Sequence, residues 1–396
     1  MKVLQLTIKP PYPPVDGGSL AMNSVTQGLL SQDCEVRVLS MCSKKHPVQA
    51  RRMTEEYKAA TRFDAVEVDL RVRPLPALWA LLRGKSYNVA RFESKAFADR
   101  LRELLAEEHY DVVHLESLFL TPYVPVIRQC SDAKVVLRAH NVEYRIWRRR
   151  AEYARNPLKR WYLGKLAAAL ERYERAHLGD FDGIVCITRH DADIYKAMGA
   201  TKPVMAMPFG IVTPELAENV EEEPCTLFHI GSMDWMPNVE GVQWFLREVW
   251  PMLHAAVPQA KLYLAGRKMP KKLMELKTDG VTVVGEVPDA GYFMSGKQIN
   301  VVPLLSGSGI RVKIIEAMSL GKTVVATTVA AEGIDYTDGE DLLIADTPEQ
   351  FVEKIRLCIE QPERCKAIGR KAFDLIAERY DNERLTGQLL DFYGQL

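Results

Sequence analysis

The stretch PLLSGSGIRVKIIEAMSLGK, residues 303–322, holds the clearest indication of how this chain folds. The run INVVPLL at 299–305 is apolar and β-branched enough to be a buried parallel strand. Residues 306–309 then fall at the carboxyl end of that strand, and open α/β sheets bind their ligands at this edge. The stretch therefore predicts a strand, a glycine-containing loop and a helix, with the loop where a parallel sheet holds a ligand.

Three charged residues follow the loop: Arg311, Lys313 and Glu316. Backbone N–H groups at a helix start and the two cations could meet phosphate oxygens, while the glutamate could accept hydrogen bonds from sugar hydroxyls. An ordinary strand-to-helix turn with a solvated basic face fits the same residues, because glycine-rich turns precede helices in any doubly wound sheet. On the local pattern alone the two interpretations are equally good.

The composition narrows the class of protein. A chain of 396 residues is too long for one hydrophobic core of usual size, which favours two α/β domains. Its 52 basic and 52 acidic residues give no net charge, so we expect no nucleic-acid partner. The seven cysteines are scattered without a CxxC pair, which indicates reduced thiols in a cytoplasmic protein.

Several other kinds of site are absent from the sequence. There is no GxxxxGK[ST] loop, no HExxH, no GxSxG and no cluster of metal ligands, so we expect neither a metal nor a cofactor. No apolar run reaches the roughly 18–20 residues that span a bilayer. The apolar stretch at the amino terminus is too short for a signal peptide. These observations predict a soluble or peripheral protein.

Short apolar strands alternate with amphipathic helices through both halves of the chain, which predicts doubly wound parallel sheets. The strands predicted in the first half are 3–8, 35–40, 65–69, 112–115, 134–138 and 183–187, with helices at 19–31 and 89–108. Those of the second half are 226–230, 261–265, 281–284, 299–303, 323–326 and 342–344, with helices at 239–254 and 311–320.

The segment 202–224 contains four prolines and an acidic run, with little periodicity, and is the best linker candidate. We therefore expect a first domain over 1–203, a linker over 204–224 and a second domain over 225–376. The tail is helical in pattern, and its last segment, 377–396, could return to the first domain.

Two further positions could contact a ligand in the first domain. Gly17 and Gly18 follow the first strand, just before a helix whose expected cap is Ser19; paired glycines allow a close backbone approach, but they also serve any tight turn. His140 lies just past the fifth strand, where it could donate to a substrate or act as a base. His229 fits a buried, hydrogen-bonded core histidine better than a site residue.

One segment is strongly basic and aromatic. It begins at Tyr144, ends at Lys165, and carries eight Arg or Lys residues against the single acid Glu152. Such a mixture suits an anionic membrane surface, a phosphorylated acceptor or single-stranded nucleic acid. A solvated basic face with its aromatics turned to the core fits at least as well.

Taken together, four pieces of the sequence resemble the retaining glycosyltransferases of family four, the glycosyl transferases group 1. They are HNVEYRIW at 140–147, HIGSMDWMPNVEGVQWF at 229–245, the stretch 303–322 and TVVATTVAAEGI at 323–334. The resemblance covers essentially the whole chain. It implies the GT-B architecture, in which two Rossmann-like domains face each other across a cleft, the second holding a nucleotide sugar and the first most of the acceptor site.

The resemblance also implies roles for individual residues. It makes His140, Arg311 and Lys313 the catalytic candidates, with Arg267 and Lys268 as lesser alternatives for the diphosphate. The expected donor contacts are Gly17, Gly18, Gly231, Val287, Ser308, Gly309, Ile310 and Glu316. Glu316 matches the second glutamate of the family's paired motif, while Ser308 replaces the first, which leaves the sugar preference open.

The activity implied by the resemblance is sugar transfer from a nucleotide-diphosphate sugar to a glycan or lipid-linked hydroxyl. The anomeric configuration would be retained, no metal would be needed, and the product would be a bacterial surface polysaccharide or glycoconjugate made at the inner membrane face. A nucleotide-sugar epimerase of the same architecture and a catalytically silent nucleotide-sugar binding protein remain alternatives.

Overall fold

The structure of the protein is a computed structural model. It describes residues 1–73, 77, 79–80, 83–212, 221–307 and 309–396. The chain divides into two compact units. The first comprises Met1–Gly210 and Asn382–Leu396, and the second comprises Ile211–Asp381. Within these described ranges, each unit is built on one parallel sheet, of seven strands in the first and six in the second. The predicted α/β class is confirmed.

The first sheet has the order β3-β2-β1-β4-β5-β6-β7. Its strands are β1 Lys2–Thr7, β2 Glu35–Cys42, β3 Asp64–Glu67, β4 Val112–Leu115, β5 Lys134–Ala139, β6 Gly183–Cys186 and β7 Val204–Ala206. The order reverses between β1 and β4, and crevices for ligands form outside the carboxyl ends of strands at such reversals.

The helices of the first unit separate these strands. They are Gly17–Ser31, Glu55–Thr61, Tyr87–Ala90, Lys95–Glu107, Val124–Cys130, Glu143–Glu152, Pro157–Ala176, Arg189–Ala197 and Asn382–Gly394, with 3₁₀ turns at Leu118–Tyr123 and Leu178–Asp180. The single helix predicted over 89–108 is two helices, because Ser94 starts the second by accepting a hydrogen bond from Phe97 N.

The second sheet has the order β10-β9-β8-β11-β12-β13, with its reversal between β8 and β11. Its strands are β8 Thr226–Ile230, β9 Lys261–Ala265, β10 Val281–Gly285, β11 Ile299–Val302, β12 Thr323–Ala326 and β13 Leu343–Ile344. The helices are Met236–Trp244, Trp250–Ala256, Lys271–Met274, Ala290–Ser295, Val312–Ser319, Pro348–Glu360 and Pro362–Arg379, and a π turn at Phe245–Val249 joins the first two.

The segment expected to link the domains contains one strand of the first sheet. Val204–Ala206 pairs with β6 in parallel, and the first unit extends to Gly210. Prolines at 203 and 208 flank this three-residue strand, so the sequence pattern favoured a linker there. Residues 213–220 of the predicted linker lie outside the described residues.

Alternate residues of the first sheet point to opposite faces, and each face has its own core. Leu4 and Leu6 belong to one cluster, whereas Val3 belongs to the other. The second face is covered by Gly17–Ser31 and by Asn382–Gly394, which contributes Leu385, Leu389, Phe392 and Tyr393. The carboxyl-terminal helix is therefore part of the core of the first unit.

These two covering helices approach closely at Gly28. A Cβ atom built on Gly28 would lie 1.9 Å from Thr386 Oγ1 and 3.0 Å from Asn382 Nδ2. Asn382 also donates from Nδ2 to the Ser24 carbonyl at 3.0 Å. Glycine at position 28 thus allows the carboxyl-terminal helix to pack here.

We predict that Gly28→Ala lowers the free energy of unfolding by about 1–3 kcal/mol through overpacking. Gly164→Ala is the matched control, because its new Cβ would meet nothing within 4 Å and it gains the same helix propensity. Urea unfolding of the two variants measures the difference. Equal stability of the two variants would show that the helices do not pack as described.

Candidate functional site

A cluster of polar side chains in the second unit surrounds the amino group of Lys313. This residue lies in the first turn of Val312–Ser319, the helix that follows β11. Its Nζ donates to Asn238 Oδ1 at 2.7 Å and lies 3.3 Å from His229 Nε2. The cluster connects the helix Val312–Ser319 to β8 and to the start of the helix Met236–Trp244, at the reversal of strand order between β8 and β11. It therefore occupies the edge where the sequence predicted a ligand.

The tautomer of His229 follows from its two partners. Its Nδ1 lies 2.8 Å from the Val301 carbonyl, which can only accept, so Nδ1 carries the proton and Nε2 faces the ammonium of Lys313 as an acceptor. Burial, and then the charge of Lys313, hold the pKa of His229 well below its usual value. The predicted core histidine is confirmed as buried, and its contact with Lys313 is the part that the sequence did not reveal.

Two neighbours fix where the amino group lies. Asn238 donates from Nδ2 to the Ser232 carbonyl at 2.8 Å, which turns its Oδ1 toward Lys313. A Cβ atom on Gly231 would lie 2.5 Å from Lys313 Nζ and 2.8 Å from Asn238 Nδ2, so an alanine here would displace these two side chains from their present positions. Gly231 thus acts in this structure by admitting the lysine.

The pKa values of Lys313 and Glu316 both depart from their usual values. Burial, followed by repulsion from Arg311, lowers the pKa of Lys313 to about 7. Burial raises the pKa of the Glu316 carboxyl, and the nearby Lys313 opposes that rise. A dianionic phosphate placed here would favour the charged lysine, because opposite charges stabilise each other in a low-dielectric site.

Arg311 is the last residue of the loop and the N-cap residue of the helix Val312–Ser319. It is 5% exposed, donates to the Gly309 carbonyl and places its guanidinium carbon 5.3 Å from the centre of the Trp235 ring. Gly307 has φ 127° and Gly309 has φ 82°, conformations that favour glycine. Ile310 is partly buried, and Ser308 lies outside the described residues. Arg311 therefore directly precedes the helix, and Lys313 lies in its first turn.

The remaining candidates of the second unit lie on neighbouring loops. Val287 is half-buried between β10 and Ala290–Ser295. Lys268 forms an ion pair with Asp234 at 2.8 Å, with both side chains well exposed. The structure therefore offers Lys313 as the enclosed cation and Lys268 as a surface one.

In the first unit, His140 is bonded to a buried carboxylate. It follows β5, and its Nε2 donates to Glu116 Oε2 at 2.8 Å. Glu116 follows β4, is 1% exposed and also accepts from Gln5 Nε2 at 2.7 Å. The carboxylate thereby keeps a proton on Nε2 of His140 and fixes the orientation of the ring, with Nδ1 on the side away from Glu116.

Glu116 belongs to a larger buried network. His114 Nε2 lies 3.3 Å from Glu116 Oε1, and Arg138 Nε lies 3.8 Å from Oε2. On its other side, His114 hydrogen-bonds the hydroxyl of Tyr393 in the carboxyl-terminal helix. Burial opposes ionisation of Glu116, but His114, His140 and Arg138 hold the pKa of its carboxyl well below the usual range. The sequence analysis missed this support for His140, because its members lie far apart in the chain.

The glycine pair of the first unit begins the helix Gly17–Ser31. Asp16, not Ser19, is the N-cap: Asp16 Oδ1 accepts from Ser19 N at 2.8 Å, and Ser19 Oγ accepts from Asp16 N at 3.0 Å. The prediction of Ser19 as the cap was wrong because Ser19 is the N3 residue of a capping box, three positions after the N-cap Asp16. Gly18 leaves room for Lys9, whose Nζ would lie 2.9 Å from a Cβ atom there.

A cavity of about 60 Å³ borders this helix start. Its lining includes Lys9, Ser19, Lys45 and His46. Burial, then the charges of Lys9 and Lys45, lower the pKa of His46. The sequence assigned His46 no role, and the structure places it in the lining of the same cavity as Ser19.

Each half of the chain matches a described family. Residues 16–210 match the Glycosyl transferase 4-like domain, and residues 224–361 match Glycosyl transferases group 1. This chain belongs to the group 1 glycosyltransferases. The resemblance inferred from the sequence is thereby confirmed.

Relatives of this glycosyltransferase support the same assignment. A protein of Klebsiella pneumoniae, described as an uncharacterized 44.6 kDa protein in the cps region, is 26% identical over 300 residues, which are 73% of this chain and 76% of the relative. The crystal structure of Anabaena HepE in complex with UDP matches with a TM-score of 0.66 and 13% identity over 100% of both chains. Sucrose-phosphate synthase from Thermosynechococcus elongatus matches with a TM-score of 0.67 and 16% identity over 100% of this chain and 99% of the other. The solved structures confirm the GT-B fold.

Two features are absent from the part of this glycosyltransferase that the structure describes. Three or more His, Cys, Asp or Glu side chains do not gather there in a group that could hold a metal ion. Nor does any helix within those ranges have the length and apolar character needed to cross a membrane.

We predict that Glu116→Gln lowers the free energy of unfolding by about 3–5 kcal/mol, because it leaves the buried Arg138 guanidinium without its counter-charge. Urea unfolding measures this loss. Adding Arg138→Met to the same variant should restore part of the stability, since no buried charge is then left alone. Strictly additive losses would show that the two charges do not interact.

We predict that the affinity of this glycosyltransferase for a nucleoside diphosphate falls as the pH rises above 7. The Lys313 amino group, with its pKa of about 7, loses its proton over this range, and a bound diphosphate must restore it. One linked proton gives a Kd that rises by up to about tenfold per pH unit. Calorimetric titration from neutral to alkaline pH measures the slope. Lys313→Gln should flatten it, and an unchanged slope in that variant would assign the proton to another group.

Proposed function

We propose that this enzyme moves a sugar from a nucleotide-diphosphate sugar to a hydroxyl of a glycan or lipid-linked acceptor, with retention of anomeric configuration. The observation that carries the proposal is the enclosed Lys313 amino group, which lies with Arg311 and Glu316 at the carboxyl edge of the second sheet. A diphosphate needs positive charge and a sugar ring needs acceptors, and this one loop and helix supply both.

The relatives support the donor and the setting of this proposal. HepE has been crystallised with UDP and also with UDP-glucose, the latter structure matching with a TM-score of 0.64 and 14% identity. The Klebsiella pneumoniae relative lies in a cps region. We therefore propose a nucleoside-diphosphate sugar as donor and a cell-surface polysaccharide or glycoconjugate as product.

The proposed chemistry is driven by departure of the diphosphate. The bond between the anomeric carbon and the β-phosphate oxygen breaks, and Arg311 and Lys313 stabilise the negative charge that develops on that oxygen. The acceptor oxygen bonds to the anomeric carbon on the same face, and its proton passes to the departing phosphate. These two side chains act in place of a divalent ion.

Other residues of the proposed site orient the substrates. Glu316 accepts hydrogen bonds from the ribose, while Gly309 and Ile310 present backbone groups to the sugar. Val287 borders the base. In the first unit, His140 offers Nδ1 or its protonated form to the transferred sugar, held by Glu116 at 2.8 Å. Gly17 and Gly18 allow the backbone to approach the phosphates.

A panel of nucleotide sugars, each with and without a lipid-linked oligosaccharide, tests the reaction. The proposal expects nucleoside diphosphate to be released only when the acceptor is present, and NMR of the product to show the donor's anomeric configuration. An isomerised donor without acceptor would establish an epimerase instead. Donor binding without any release would establish a silent binding protein.

We predict that Lys313→Ala lowers kcat by about 10²–10³, as expected when one group that stabilises transition-state charge is removed. Lys268→Ala is the matched control, because it removes an equal charge whose ion pair with Asp234 is exposed and contributes little. Steady-state kinetics of both variants measure the contrast. Wild-type turnover in the Lys313 variant, or an equal loss in the Lys268 variant, would mean that the diphosphate is held elsewhere.

A further inference from the structure

The basic, aromatic segment forms a helical hairpin in the first unit. Its helices are Glu143–Glu152 and Pro157–Ala176, joined by a four-residue turn. The hairpin has a small core of its own, composed of Trp147, Ala151, Ala154, Tyr162, Leu163 and Leu166. Trp147 and Tyr162 face this small core and Tyr144 is buried in the main core of the unit, so the alternative of a basic face with its aromatics turned inward holds for only part of the segment.

The turn of this hairpin exposes large apolar side chains. Tyr153 is 81% exposed, Leu158 is 77% exposed and Trp161 is 58% exposed. Leu158 and Trp161 are three residues apart on one helix and therefore share a face. Removing these apolar side chains from water would be favourable, so their exposure marks the turn as a surface suited to binding a partner.

Cations surround these apolar side chains. Arg155, Lys159, Arg160 and Lys165 lie within the same turn and the first helical turns after it, and within the described ranges none of them forms an ion pair. Farther from the turn, Arg148 and Arg175 both pair with Glu171. Unpaired positive charge is therefore concentrated at the tip of the hairpin.

We propose that the tip of this hairpin docks on a bilayer that contains anionic lipids. Leu158, Trp161 and Tyr153 would enter the interface between headgroups and acyl chains, and the surrounding cations would contact the lipid phosphates. An exposed aliphatic leucine surrounded by cations suits acyl chains beneath lipid phosphates. Single-stranded nucleic acid instead requires a groove in which bases stack on aromatics.

Docking at this tip has a geometric consequence for the acceptor side of the first unit. The first helix starts at Glu143, three residues after His140, and its ten residues rise by about 15 Å. The docked surface and the sheet edge that carries His140 are thus separated by the length of one short helix. If the proposed function holds, a lipid-linked acceptor could reach that edge without leaving the bilayer.

Flotation with phosphatidylcholine vesicles, with and without phosphatidylglycerol, tests the docking and requires neither donor nor acceptor. The wild-type protein should float with the anionic vesicles, and added salt should release it. Lys159→Gln with Arg160→Gln should weaken this binding by roughly 25-fold, at about fivefold per cation. Leu158→Ser with Trp161→Ser should abolish it.

The controls are Arg364→Gln with Lys366→Gln, which remove two exposed cations from a helix of the second unit, and Met252→Ser, which removes an exposed apolar side chain. These variants should float like the wild type. Equal recovery on both kinds of vesicle, or wild-type binding by the hairpin variants, would overturn the proposal. Binding of a single-stranded DNA oligonucleotide that the hairpin variants lose, without vesicle binding, would replace it with a nucleic-acid partner.

Discussion

The direction of the strands is the constraint on which the rest of this structure depends. In both described sheets every pair of neighbouring strands is parallel, so the carboxyl ends of the strands meet at one edge of each sheet. His140 follows β5 and Glu116 follows β4, while Lys313 follows β11. Polar groups that are remote in sequence are brought together because the strands before them end at the same edge.

Within that frame, the site of the second unit is organised by which nitrogen of His229 carries its proton. The Val301 carbonyl takes one nitrogen as a donor, and the other can then only accept from Lys313. Asn238 is oriented in the same way by the Ser232 carbonyl. Two backbone carbonyls thus define the position of a side-chain ammonium. A site supported in this manner is preorganised, since little rearrangement is needed when charge develops nearby.

Much of the fold could be predicted from the sequence, because its strands are short buried apolar runs. Val112–Leu115, Thr226–Ile230, Lys261–Ala265 and Thr323–Ala326 have the bounds that the pattern predicts. His140 could be singled out because it directly follows β5, and Gly17 and Gly18 because they begin the first helix after β1. The strand Val204–Ala206 could not be predicted, because its three residues lie between prolines and only their pairing with β6 makes them a strand.

The partners of the candidate residues could not be predicted, because they depend on distant pairings. Asn238 meets Lys313 across 75 positions of the chain, and His114 meets Tyr393 across 279. No local spacing encodes such contacts. Glu116 looks like an ordinary acid after an apolar run until the structure shows that three basic side chains and Gln5 surround it.

The return of the last helix to the first unit also affects how the protein can be made. During synthesis on the ribosome, residues 1–210 emerge long before residues 382–396, yet both belong to one compact unit. Until the later segment arrives, the face of the sheet around Val3, Val36 and Val112 lacks the cover given by Leu385, Leu389 and Phe392. The whole of the second unit therefore emerges while the first still exposes part of its core, and the hydroxyl of Tyr393 can join His114 in the network around Glu116 only after its helix has emerged.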